Sequence, residues 1–79
     1  MININEILEH LKHSKLVLQE CIDSLSTTTP EIDDLIEEIR DNITQCHNAI
    51  ERQDIDAFYL FDNISNDLFV RLDWLIVNL

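Results

Sequence analysis

The sequence predicts an all-α fold, an antiparallel three-helix bundle, and three observations carry that reading. Glycine is absent and proline occurs once, so the chain lacks the residues that hairpin turns and positive-φ positions favour. Apolar residues recur at three- and four-residue steps through most of the 79 residues, the spacing that lines one face of a helix. That recurrence is interrupted at two short polar stretches, residues 26–31 and 53–56. Connections this short make consecutive helices double back on one another.

The first helix is expected over about residues 3–25. Ile4, Ile7, Leu8, Leu11, Leu18, Cys21, Ile22 and Leu25 share a face, with Ser14 and Lys15 interrupting the stripe. Leu16 and Val17 lie off it, positioned to meet a third element or a second subunit. The stretch Ser26-Thr27-Thr28-Thr29-Pro30-Glu31 then marks a helix start. Either Thr28 caps it, with Glu31 completing a capping box, or Thr29 does, with Pro30 at the first helical position.

The second helix is expected over about 30–52. Ile32, Ile36, Ile39, Ile43, Cys46 and Ile50 alternate steps of four and three, an unbroken seam of the kind that packs bundles and coiled coils. Asp54 is the natural cap of a third helix, expected over about 54–79. Phe58, Phe61, Leu68, Leu72, Leu75 and Leu79 form its stripe, while Leu60, Ile64, Phe69, Val70, Ile76 and Val77 spread around the cylinder. Residues 62–66 contain weak helix formers, so a kink there is the alternative to one continuous helix. The excess apolar surface also predicts a helical homodimer through this last helix.

Length and composition fit one small domain over residues 1–79, near the size at which a single core is just sufficient. A hydrophobic content of 46% is ordinary for a globular chain and high for a disordered acidic tail. No apolar run reaches membrane-spanning length, and Met1-Ile2-Asn3 does not open a secretory signal; a cytoplasmic location is expected. Cys21 and Cys46 have no CxxC spacing and read as small core residues. The sequons at Asn42 and Asn63 carry no meaning in that compartment.

Charge is the feature that points to a partner. The formal net charge is −11, and residues 31–56 hold nine acids against Arg40 and Arg52, or −7 of that total. Direct binding of nucleic acid or an anionic membrane is not expected, since both are gripped by clustered Lys and Arg. A basic protein surface is the partner such a field attracts. Asp33, Asp34, Glu37, Glu38 and Asp41 face away from the isoleucine seam. Asp33–Glu37, Asp34–Glu38 and Glu37–Asp41 are like-charge i,i+4 pairs, each costing a few tenths of a kcal/mol. A solvated outer face is the bland reading, yet a surface serving solubility alone could mix signs without loss.

No catalytic constellation emerges. Glu9-His10-x-x-His13 matches neither zinc-protease order, and no Glu-x-x-His pattern of di-iron bundles occurs. These histidines read as partly exposed side chains beside carboxylates. Asp34-x-x-Glu37 and Glu38-x-x-Asp41 could hold Mg²⁺ as in all-helical nucleotide hydrolases, but those need a facing acidic pair and basic phosphate ligands. Cys46-His47 with Cys21 lacks a further donor. Neither metal nor cofactor is expected, and the chain reads as a non-enzyme.

The remaining candidates are aromatic. Tyr59, Phe69 and Trp74, with Arg71, lie on the last helix, and Trp, Tyr and Arg dominate interface hot spots. The break Gln53-Asp54-Ile55-Asp56 followed by an aromatic-rich helix resembles small flagellar export chaperones over less than half the chain. That resemblance implies an adaptor holding a partner helix through the C-terminal helix. The leading expectation is an acidic blocker of a basic protein surface, of the inhibitor, immunity, anti-defence or DNA-mimic type, acting through the second helix. Its partner-binding residues are Asp33, Asp34, Glu37, Glu38, Asp41, Tyr59, Phe69 and Trp74.

Overall fold

In the computed structural model, which describes residues 3–79, the chain forms three helices: α1 (Ile4–Ser24), α2 (Pro30–Glu51) and α3 (Ile55–Val77). Met1 and Ile2, part of the N-terminal reading above, lie outside the described residues. The helices run up, down and up in a rod measuring 42 × 17 × 15 Å, an all-α three-helix bundle. No strand occurs among the described residues.

Each helix begins on a side-chain cap that satisfies a first-turn N–H otherwise without a partner. Asn3 accepts from Asn5 N–H at 2.9 Å, and Asp54 accepts from Ala57 N–H at 3.1 Å. Of the two alternatives for α2, Thr29 is the cap: its Oγ1 accepts from Ile32 N–H at 3.2 Å, and Pro30 is the first helical residue. The Thr28 hydroxyl instead donates to Asp33 Oδ1 at 2.9 Å.

α2 is the central element and packs closely along α3, while α1 rests on α2 with fewer close backbone approaches. Its seam is buried as the spacing predicts, from Ile32 through Ile36, Ile39 and Ile43 to Cys46, with Ile50 half-buried. Leu35 and Ala49 are buried as well, because a helix sandwiched between two neighbours covers a wider stripe than one seam. From α1 come Ile7, Leu11 and Leu18, and from α3 Phe58, Leu68 and Leu72.

Two residues assigned to the inner stripes lie outside: Ile4 is 48% and Leu79 57% exposed. Both sit at the ends of the rod, where the helical period points inward but little lies opposite. Leu16 is also exposed and Val17 half-buried. α3 runs unbroken through residues 62–66. Ser65 is buried there, and its hydroxyl donates to the Phe61 carbonyl at 2.9 Å, so the one buried polar side chain in this stretch is satisfied inside its own helix.

Candidate functional site

The outer surface of α2 carries the charge. Asp33, Asp34, Glu37, Glu38 and Asp41 are all exposed, because the isoleucine seam turns them away from the core. They do not behave as one block. Asp33 is engaged by Thr28 at the α1–α2 connection. Glu37 has Arg40 Nη1 at 4.0 Å, an exposed pair of small energetic weight. Glu31, Asp34 and Glu38 line a groove with Leu35, Arg71 and Leu75. Among the described residues, Asp34, Glu38 and Asp41 take part in no ion pair.

Two of those groove residues, Glu31 and Arg71, were outside the expected acidic set, and Arg71 adds a cation beside it. Sequence spacing could not reveal this, because it depends on the α2–α3 register. The same register sets the aromatic candidates apart. Trp74 is 64% and Tyr59 45% exposed, but they stand about 22 Å apart along the helix at ~1.5 Å per residue. Trp74 is adjacent to Leu75, at the acidic end of the rod. Tyr59 lies at the other end, its ring edge-on to buried Phe58 with centroids 5.5 Å apart. Phe69 is half-buried and packs against the core.

Other polar groups are tied up locally. His10 Nε2 lies 2.8 Å from Asp62 Oδ1, linking α1 to α3, and the His10 ring stands edge-on to Phe58 at 6.4 Å. His47 Nε2 meets Glu51 one turn on, at 3.1 Å. Of the two histidines read as neighbours of carboxylates, His10 and His13, His10 meets a carboxylate, and it is Asp62 on another helix rather than Glu6 or Glu9 a turn away. Cys46 is buried with its Sγ 3.9 Å from the Phe58 carbonyl. Its thiol is pushed up to about 11, by burial first and the Asp62 charge second. Cys21 is half-buried, and its thiol is also raised, by burial and then by Asp73 and Glu20. Both are free thiols held protonated at neutral pH, the opposite of an activated nucleophile.

Among the described residues no three His, Cys, Asp or Glu side chains are grouped to hold a metal ion, and no helix is long and apolar enough to cross a membrane. Comparison with family models, curated proteins and solved structures finds no match.

Proposed function

We propose that the chain is an acidic interaction protein that binds and blocks a basic protein surface, with the outer face of α2 as its contact. The observation that carries this reading is the row Asp34, Glu37, Glu38 and Asp41. All four are solvent-exposed on a helix whose opposite side is fixed in the core. Among the described residues Arg40 is the one cation in an ion pair with them, with Arg71 lining the groove beside Asp34 and Glu38. A rigid helix presents such charges without a backbone ordering cost on binding. The concentrated field speeds encounter with a cationic partner. Exposed Trp74, at the same end of the rod, offers an aromatic anchor at the rim. Inhibitor, immunity, anti-defence and DNA-mimic proteins are the functional types this chemistry serves.

The test is affinity capture from the native host's lysate with wild-type protein and with a variant carrying Asp34→Lys, Glu37→Lys, Glu38→Lys and Asp41→Lys. Lysine is a good helix former and all four positions are exposed, so helicity should be retained by circular dichroism. Wild type should capture a basic protein at low salt and release it at high salt, as screening shortens the reach of the field. The variant should capture nothing. Capture that survives charge reversal overturns the proposal and moves the contact to the apolar surface of α3, the adaptor reading.

A further inference from the structure

One face of α3 repeats the spacing of a packed seam yet is left outside the bundle. Leu60, Ile64, Asp67, Arg71, Trp74 and Asn78 follow steps of four and three, the 3.5-residue period that keeps a face turned toward a partner helix. All six are exposed, including Leu60 at 58%, Ile64 at 39% and Trp74 at 64%. The seam is self-complementary when reversed. Two such helices laid antiparallel, centred on position 69, set Ile64 against Trp74 of the second copy and Asp67 against its Arg71, each layer occurring twice. Leu60 then meets Asn78.

We propose that two copies of this chain pair antiparallel along this seam of α3, with reciprocal Asp67–Arg71 ion pairs fixing the register. The charges select against the alternatives. A parallel pair places Asp67 on Asp67 and Arg71 on Arg71, which repel. Slipping an antiparallel pair one heptad toward the N-terminus sets Arg71 on Leu60 and Asp67 on Ile64. Slipping it the other way leaves Leu60 and Ile64 uncovered. An ion pair among the apolar contacts of Leu60, Ile64 and Trp74 costs stability and gives specificity of orientation.

The size of the patch sets the strength. From Leu60 to Asn78 the seam is about 27 Å long and a helix is ~10–12 Å across, so each copy buries a few hundred Å², under the ~800 Å² per partner of a standard interface. Each copy also carries −11, so the two repel until salt screens them. The dimer therefore forms at high micromolar concentration and strengthens with added salt. Capture of a basic partner by α2 responds to salt in the opposite sense. Trp74 is common to both surfaces, so it is the α2 charge reversals on one side and the Asp67 and Arg71 variants on the other that tell the two proposals apart.

Sedimentation equilibrium of the full chain at ~0.15 M salt, where long-range repulsion is screened and contact pairs still act, tests this, with circular dichroism to establish that each variant is folded. Wild type should fit a monomer–dimer equilibrium. Arg71→Asp and Asp67→Arg should each weaken association at least ~10-fold, the loss expected when an opposed pair becomes a like-charge pair. The double exchange, Asp67→Arg with Arg71→Asp, should bring association back near wild type. Trp74→Ala should weaken it without touching the charges. A monomer at high micromolar concentration overturns the proposal, as does a dimer unaffected by either single charge variant. A double exchange no better than the singles overturns the antiparallel register.

Discussion

Cys46 shows how one side chain ties the fold to solution conditions. The residue is 2% exposed, and its thiol is pushed from 9.0 to about 11, by burial first and by Asp62 second. Unfolding returns it to its ordinary acidity. Between those two values the unfolded chain binds fewer protons than the folded one, so stability falls as pH rises. Below pH 9 both states keep the proton and the contribution is fully present. Chemical denaturation from pH 8 to 11 should therefore show a midpoint that declines above pH 9, and Cys46→Ala should flatten part of that decline. An unchanged slope in the Ala variant would place the alkaline loss elsewhere. Cys46 was legible as a core residue from its place in the isoleucine seam. The Asp62 charge beside it was not, since the two residues meet only when α3 packs on α2. The His10–Asp62 contact escaped for the same reason: spacing along one helix says nothing of a partner 52 residues away.

At the scale of the element, the end of α2 shows what absent glycine costs. Gln53 has φ 58°, the left-handed region that favours glycine. The geometry requires it: Asp54 N–H donates to the Ala49 carbonyl at 2.8 Å and Gln53 N–H to that of Ile50 at 3.0 Å. This crossed pair closes the helix through a left-handed residue and satisfies carbonyls that have no partner further along. Gln53→Gly should relieve roughly 1–2 kcal/mol of left-handed backbone strain against about 0.4–1 kcal/mol of added freedom in the unfolded chain, read as a higher thermal midpoint with the helix content unchanged. A lower midpoint would mean that the added freedom of the unfolded chain outweighs the relief. The break itself was legible in the polar run 53–56, and so were Thr29, Pro30 and Asp54 as helix starts, because capping chemistry is local. The outer limits of the inner stripes were not. Ile4 and Leu79 keep the helical period beyond the point where neighbours cover it, and Leu35 and Ala49 are enclosed because α2 lies between two helices.

For the whole molecule, charge and shape act together. The rod is 17 × 15 Å in cross-section and carries −11. At ~0.01 M salt the screening length is about 30 Å, so the acids repel across the full width; near ~0.15 M it is about 8 Å and only neighbours interact. The compensating Lys and Arg pairs among the described residues are Lys12–Glu9 and Arg40–Glu37. Both are well exposed and add little. Repulsion therefore dominates, and folding concentrates it relative to the expanded chain. Sodium chloride raised from ~0.01 M to ~0.5 M, where the screening length has shrunk several-fold, should increase the thermal midpoint. A falling midpoint would show that attractive pairs outweigh the net field and would remove the physical basis for a large acidic potential at α2. The Asp34→Lys, Glu37→Lys, Glu38→Lys, Asp41→Lys variant reduces the net charge to −3, each substitution adding two charges to −11. It should be more stable than wild type in low salt and lose most of that advantage in high salt. Stability gained when these four charges are reversed is what a surface shaped for a cationic partner, at the expense of the isolated fold, would display.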